Sequence, residues 1–115
     1  MLLKVLRAKI HRATVTQACV DYAGSITIDA ALAGAAGLLP HEFVLVADVT
    51  NGARFETYVI LGEAGGGGVC VNGAAARLVK PGDRIIIMAH GYVTPQEAAV
   101  LQPTVVHVDE RNRVI

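Results

Sequence analysis

The fold is decided by residues 43–61, whose sequence is FVLVADVTNGARFETYVIL. Residues 43–49 form a nearly continuous apolar run rich in β-branched side chains, which is typical of a strand. Residues 54–61 form a second run of this kind. Asn51-Gly52 lies between the two runs and suits the positive φ angles of a type I′ turn. The stretch therefore predicts a β-hairpin closed by a tight turn.

Other short strands, separated by turn residues, extend outward from this hairpin along the chain. Asp29 and Gly37 provide the start and end signals of a short helix between them. The predicted strands are 2–8, 25–28, 43–49, 54–61, 69–71, 84–89 and 105–108, and the predicted helical segments are 30–36, 72–77 and 97–101. This pattern predicts a mainly β protein in which a single domain, residues 1–115, forms a small β-barrel with short helices. Closure of the barrel would leave no exposed edge strand.

The composition excludes several classes of protein. Basic and acidic residues are equal in number, so no positive field is available to hold a nucleic acid. The longest clean apolar run, Ile85–Ala89, is far shorter than the ~18 residues that a membrane-spanning helix needs. Charged side chains interrupt the N-terminal apolar residues, so no signal peptide is predicted. We therefore expect a cytoplasmic protein with no nucleic-acid partner and no membrane segment.

Neither the cysteines nor the histidines have the spacing of a metal site. Cys19 and Cys70 are the only two cysteines, and we interpret them as small, buried or half-buried side chains rather than as a disulfide. The four histidines include no i, i+4 pair and have no acidic partner at motif spacing. No metal is therefore expected.

The candidate reactive centre is the dipeptide Gly24-Ser25, in the segment DYAGSITID of residues 21–29. Gly24 has no Cβ, so its backbone can adopt strained angles and a nucleophile can approach its carbonyl closely. Attack by Ser25 Oγ on that carbonyl would turn the amide into an ester. β-Elimination would then cut the chain and leave a dehydroalanine, whose hydrolysis gives a pyruvoyl group. Most Gly-Ser pairs are simply turns, so this hypothesis needs support from other residues.

The second strand of the hairpin carries candidate binding residues. Alternation along a strand places Arg54, Glu56 and Tyr58 on one face, and Phe55 and Thr57 on the other. An arginine can hold a carboxylate at two points, and a tyrosine can donate a proton. A threonine on the opposite face can hydrogen-bond the carbonyl or the oxyanion at the cleavage point. The alternative is a solvated barrel face without a function.

Two further segments suit anion binding. In Asn72–Ala75, backbone N–H groups at the start of a helical turn would point at an anion; the alternative is that Asn72 is only a helix N-cap. By the period of two, Lys9 and His11 lie on one face of the first strand. Lys9 is then either an ordinary surface residue or a second anion-binding charge.

Together these stretches resemble the pyruvoyl-dependent aspartate 1-decarboxylases. The matching segments are 8–16 (AKIHRATVT), 22–25 (YAGS), 49–58 (VTNGARFETY) and 71–76 (VNGAAA). They have the order and spacing of that family over nearly the whole chain. The resemblance implies a double-psi β-barrel that forms homotetramers with active sites between neighbouring subunits. It also implies a lyase that converts L-aspartate to β-alanine and CO₂ for pantothenate and coenzyme A biosynthesis.

The resemblance further implies a zymogen that cleaves itself between Gly24 and Ser25. The products would be a β chain of residues 1–24 and an α chain of residues 25–115. Ser25 would become a covalently bound pyruvoyl group that forms a Schiff base with the substrate. Gly24, Ser25 and Thr57 are the implied residues of self-cleavage.

Roles in catalysis also follow from the resemblance. Tyr58 is the implied proton donor. The implied substrate-binding residues are Arg54, Thr57, Lys9, Asn72, Gly73, Ala74 and Ala75. Lys9 would come from a neighbouring strand or subunit. Tyr22 and His11 are second-line candidates near the cleavage point.

Two positions depart from part of the family. This chain has Ala47 where some members carry a tryptophan, and Asp48 where they carry an asparagine. An inward carboxylate would weaken anion binding near the hairpin, and Asp48 is expected to point to solvent. Two alternatives stay open: a pyruvoyl decarboxylase acting on another small amino acid, and a non-catalytic β-barrel for binding or assembly in which the Gly24-Ser25 bond stays intact.

Overall fold

A computed structural model of the protein describes all residues, 1–115. The elements in chain order are β1 (Leu3–Thr14), β2 (Gln17–Cys19), β3 (Ser25–Asp29), α1 (Ala30–Ala36), β4 (Phe43–Asp48), β5 (Arg54–Gly62), β6 (Val69–Asn72), a 3₁₀ helix (Gly73–Leu78), β7 (Arg84–Val93), α2 (Pro95–Val100) and β8 (Thr104–His107). Every predicted strand and helical segment is present, and the three-residue strand β2 is additional. No helix combines the length and the apolar character that crossing a membrane requires.

All eight strands belong to one sheet, in the order β2-β6-β3-β5-β4-β7-β1-β8. The pairs β3–β6, β4–β5, β4–β7 and β1–β7 are antiparallel, whereas β1–β8, β2–β6 and β3–β5 are parallel. The mainly β, barrel-like fold with short helices is therefore confirmed. The expected closure is not made by hydrogen bonds, because β2 and β8 each have a single hydrogen-bonded neighbour.

Alternation along the strands builds the core. Ile26 and Ile28 on β3 are fully buried, while Thr27 between them is partly exposed. Ile85 and Ile87 on β7 are fully buried in the same way. Burial of each such side chain contributes about 1.5–3 kcal/mol, and a slip of one residue would expose the whole set. The isoleucines therefore fix the register of β3, which begins at Ser25.

The hairpin β4–β5 forms as predicted, but its connection is not a two-residue type I′ turn. Gly52 has a φ of +80°, whereas Asn51 is not among the residues with positive φ. Asp48 organises the loop instead: its Oδ1 accepts hydrogen bonds from the backbone N–H groups of Thr50 at 2.7 Å and Asn51 at 3.2 Å. These bonds add to the backbone bonds from Gly52 N–H to Asp48 O and from Asp48 N–H to Ala53 O, both 2.8 Å, and together they hold a connection that spans residues 49–53.

The expectation that Asp48 points to solvent is wrong. Its relative exposure is only 2%, and its Oδ2 is buried without a hydrogen-bond donor. Burial, together with the neighbouring carboxyl of Asp83, raises the pKa of Asp48 above its usual range. The carboxyl lies inward because the loop needs its Oδ1 as an acceptor.

Asp29 caps α1 as predicted and also holds the glycine-rich loop before β6. Its carboxylate accepts hydrogen bonds from the backbone N–H groups of Ala31 at 2.8 Å, Gly67 at 2.7 Å and Gly65 at 3.1 Å. Burial alone would raise the pKa of Asp29, but these backbone donors outweigh it and hold the pKa below the usual value. The loop is therefore tied to the end of β3.

Candidate active site

Ser25 is the first residue of β3, and the antiparallel pairing with β6 places it opposite Asn72. Asn72 Nδ2 donates hydrogen bonds to Ser25 Oγ at 2.9 Å and to Thr27 Oγ1 at 3.1 Å. The thiol of Cys70 lies 3.1 Å from Asn72 Oδ1 and donates to it. Ser25 and Asn72 are each only 6% exposed. We call these four residues the Ser25 cluster, which holds a hydroxyl directly after the Gly24 carbonyl.

Asn72 occupies the N-cap position of the 3₁₀ helix but is more than a helix cap. Its side chain makes no capping hydrogen bond to the 3₁₀ helix that follows, and it points to β3 instead. Thr27 and Cys70 were not among the predicted site residues. The period of two offered one signal for them, because Thr27 lies two residues after Ser25, and Cys70 lies two residues before Asn72.

At this site, the position where only a glycine fits is Gly73, not Gly24. Gly24 has no positive φ, and a Cβ built on it would meet no atom within 4 Å, so its expected backbone strain is absent. Gly73 has a φ of +78°, and a Cβ there would lie 2.6 Å from Gly24 Cα and 3.2 Å from the Tyr22 carbonyl oxygen. Only a glycine at position 73 lets the exposed segment 22–24 lie against the start of the 3₁₀ helix.

β5 runs parallel to β3 and presents the predicted binding residues. The register Ile26↔Val59 sets Thr57 and Tyr58 level with Gly24 and Ser25. Thr57 is buried, whereas Tyr58 is half-buried on the opposite face. No hydrogen bond joins Thr57 to Gly24. The two faces of β5 therefore separate as predicted, one towards the core and one away from it.

The face of the sheet that points away from the core carries Arg54 and Tyr58. The ring of Tyr58 packs against Phe43, with centroids 6.1 Å apart. Arg54 is exposed, lies opposite Ala47, and has no ion-pair partner, since the only salt bridge of the chain joins Arg7 to Glu42. The guanidinium is therefore available to an external carboxylate.

Lys9 and His11 lie on β1, and three strands separate β1 from β3 in the sheet order. Lys9 pairs with Met88 on β7, which places it on the same face as Arg54. The ring of His11 lies edge-on to that of His107, with centroids 5.5 Å apart, and its buried Nδ1 has no partner. Burial, followed by the charges of Lys9 and His107, lowers the pKa of His11. Within one chain, neither Lys9 nor His11 is brought to Ser25.

The remaining predicted positions lie around Gly73. Tyr22 is 68% exposed on the turn before Gly24, Ala74 is exposed and Ala75 is half-buried. No group of three or more His, Cys, Asp and Glu side chains is arranged to hold a metal ion.

Comparison with known proteins shows similarity over the whole chain. The sequence model of a family described as aspartate decarboxylase matches residues 1–115. The aspartate 1-decarboxylase of Corynebacterium efficiens is 60% identical over 115 residues, which is 100% of this chain and 85% of that protein. Those of Caldicellulosiruptor saccharolyticus and Acetivibrio thermocellus are 55% and 56% identical, again over 100% of this chain and over 90% and 91% of the relatives.

Proposed function

This chain belongs to the aspartate decarboxylase family, and from that premise we propose that it converts L-aspartate to β-alanine and CO₂ with a pyruvoyl group made from Ser25. The observation that carries the proposal is the Ser25 cluster. Its hydroxyl is buried, is held by the Asn72 amide and directly follows the peptide bond to be cut.

Self-cleavage at Gly24-Ser25 would use groups already in place. Ser25 Oγ attacks the Gly24 carbonyl carbon; as the ester forms, the C–N bond breaks and the hydroxyl proton passes to the released amine. β-Elimination then removes the Cα proton and breaks the Cβ–Oγ bond, so Oγ leaves as an oxygen of the Gly24 carboxylate. The N–H of Asn72 that faces Oγ favours this negative charge. Thr57, which lies level with Gly24, is the proposed donor to the oxyanion.

The surroundings of residue 25 fit a pyruvoyl group. Asn72 Nδ2 and the Thr27 hydroxyl supply donors beside it, and the missing Cβ of Gly73 leaves room against Gly24. When formed, such a group supplies an electron-withdrawing carbonyl that accepts the electrons released as CO₂ leaves. Asn72 would orient it, and the backbone of residues 73–75 would complete the pocket.

Arg54 is the proposed anchor for a substrate carboxylate, because its guanidinium is exposed and unpaired. Tyr58 is the proposed proton donor to the carbon that loses CO₂, since the register sets it level with residue 25. Lys9 would supply a second positive charge from a neighbouring subunit, because its own β1 is three strands away.

We propose that the protein is a homotetramer with active sites between subunits. The outer face of the sheet groups apolar and aromatic side chains with charged ones: Phe43, Leu45, Tyr58, Met88 and Tyr92 lie among Lys4, Lys9, Arg54, Glu56 and His90. Phe43 is 62% exposed and Tyr92 is 68% exposed. Exposed aromatic side chains grouped in this way are typical of an interface. A second copy on the outer face would cover them and bring Lys9 to the neighbour's Arg54.

We place the reaction in the cytoplasm, where β-alanine would feed pantothenate and coenzyme A biosynthesis. With only two cysteines, the chain has no disulfide framework of the kind that small secreted domains carry.

The deciding experiment is the intact mass of the purified protein under denaturing conditions, before and after reaction with a hydrazine. We expect two fragments that divide between Gly24 and Ser25, with the carbonyl on the larger one and β-alanine formed from L-aspartate. A chain that remains uncut after prolonged warming and releases no β-alanine would refute the proposal.

Substrate choice is tested by Arg54→Lys. A lysine cannot reproduce the two-point contact of a guanidinium, so we expect the KM for L-aspartate to rise by about tenfold. Equal turnover of L-glutamate and L-aspartate by the unmodified protein would contradict the proposed specificity.

A further inference from the structure

We propose that Cys70 is a positioning residue that decides which end of the Asn72 amide faces Ser25. The proposal rests on the proposed self-cleavage and adds to it a residue two positions away from Asn72 along β6.

The contacts of Asn72 indicate that the Cys70 thiol distinguishes between the two orientations of the side-chain amide. Nδ2 faces two hydroxyl oxygens, Ser25 Oγ at 2.9 Å and Thr27 Oγ1 at 3.1 Å, and Oδ1 faces Cys70 Sγ at 3.1 Å. Hydroxyl groups both donate and accept, so they tolerate either end of an amide. A thiol donates its single proton, while its sulfur is a weak acceptor. Only Cys70 therefore favours Oδ1 on its side and Nδ2 on the side of Ser25.

The second cysteine is a weaker alternative acceptor for the Cys70 thiol. Cys70 Sγ can donate to Cys19 Sγ at 3.8 Å or to Asn72 Oδ1 at 3.1 Å. Because sulfur is a weak acceptor and lies farther away, the single proton of Cys70 goes to Asn72 Oδ1. Burial and the Cys19 thiol raise the pKa of Cys70 to about 11, so the group remains a protonated donor.

The orientation of the amide matters for the elimination that cuts the chain. When the Cβ–Oγ bond of the ester breaks, Oγ leaves as an oxygen of the Gly24 carboxylate, and with Nδ2 towards Ser25 an N–H group faces that negative charge. With the amide turned by 180°, the carbonyl oxygen Oδ1 would face that charge and repel it. Loss of the thiol donor allows the turned state and should slow cleavage.

The test measures the rate of cleavage at Gly24-Ser25 by intact mass in newly made protein. Cys70→Ala and Cys70→Val both remove the donor, and the valine refills most of the volume, so we expect each to slow cleavage by roughly tenfold. Cys70→Ser replaces the thiol with a hydroxyl that accepts as readily as it donates, so it no longer selects one end of the amide and should also slow cleavage. Cys19→Ala is the matched control, because it removes a half-buried thiol that makes no side-chain hydrogen bond to Asn72, and its rate should not change.

Two results would overturn the positioning role: cleavage of Cys70→Val at the unmodified rate, or cleavage of Cys70→Ser at the unmodified rate. A second measurement does not depend on cleavage. In the Cys19→Ala background, Cys70 is the only thiol, and its S–H stretching band should shift to the free-thiol position when Asn72→Ala removes the acceptor. An unshifted band would refute the hydrogen bond. If no variant is cut, including the unmodified chain, the proposed function fails while this band still decides the orientation of Asn72.

Discussion

The Ser25 cluster and the outer face differ in how much of their chemistry one chain completes. In the Ser25 cluster, each polar side chain has a hydrogen-bond partner in the same chain. On the outer face, Arg54, Tyr58 and Lys9 have none. The difference fits the proposed function, in which one folded chain contains the nucleophile for self-cleavage and a second copy supplies further contacts for substrate binding.

Among the substitutions, Ser25→Ala should have the largest effect on cleavage and on activity. It deletes the nucleophile and little volume, so we expect a folded, uncut protein with no β-alanine production. Intact mass would show whether the chain is uncut, and circular dichroism would show whether it is folded. The outer face is untouched, so the variant should still assemble to the same oligomer by light scattering. β-Alanine production by this variant would rule out a pyruvoyl group derived from Ser25.

Tyr58→Phe should slow substrate turnover without affecting self-cleavage in the Ser25 cluster. The ring still packs against Phe43, so we expect cleavage at the normal rate, but loss of the proton donor should slow turnover by about 10²–10⁴-fold. Fragment masses report the first effect, and the rate of β-alanine formation reports the second. Tyr92→Phe is the matched control, because it removes an exposed hydroxyl from the same face. Wild-type turnover by Tyr58→Phe would exclude Tyr58 as the acid.

Gly73→Ala should test the steric fit of the Ser25 cluster. An alanine at a φ of +78° with a Cβ 2.6 Å from Gly24 Cα should destabilise the protein by about 2–4 kcal/mol. Gly24→Ala meets no atom within 4 Å and should change stability by less than about 0.5 kcal/mol. Both variants are compared by urea denaturation in the Ser25→Ala background, where every chain is uncut. Equal destabilisation would show that the contact at Gly73 is not what distinguishes the two glycines.

The sequence predicts well where the signals are local. α1 begins after Asp29 and ends before Gly37 as predicted, because both end signals lie next to the helix. β1 continues to Thr14 beyond its predicted end, because register shifts, with Arg12 at a φ of 65°, let the strand bend and remain paired with β7. The sequence of β1 alone carries no signal for a register shift, because the shift depends on how β1 pairs with β7.

In the candidate site too, local sequence signals identify some residues, whereas others depend on strand pairing. Ser25 and Asn72 were predicted from their own segments. Cys70 and Thr27 were missed, because only the antiparallel pairing of β3 with β6 brings them to Asn72. The inward position of Asp48 was missed for a related reason, as the loop's need for an acceptor depends on the length of the connection.

Asp48→Asn is expected to have the smallest effect, and it acts on the loop that leads to Arg54. Burial and Asp83 raise the pKa of Asp48 in the folded state, so the folded protein keeps a proton that the unfolded chain releases near its ordinary pKa of 3.8. The free energy of unfolding should therefore fall as the pH rises from that value through the folded pKa. An asparagine does not titrate, still accepts from Thr50 and Asn51 through Oδ1, and can donate from Nδ2 to Asp83.

We expect the advantage of Asp48→Asn to grow with pH and then level at about 1 kcal/mol, which is the net value of one buried hydrogen bond. Thermal unfolding at a series of pH values from about 4 to about 8 would measure it, with the exposed Glu110→Gln as control. A difference that is constant over this range would show that Asp48 does not hold an extra proton in the folded state. Cleavage should be unchanged, because no hydrogen bond joins this loop to the Ser25 cluster. A change in the KM for L-aspartate without a change in cleavage would show that the loop before Arg54 affects substrate binding but not self-cleavage.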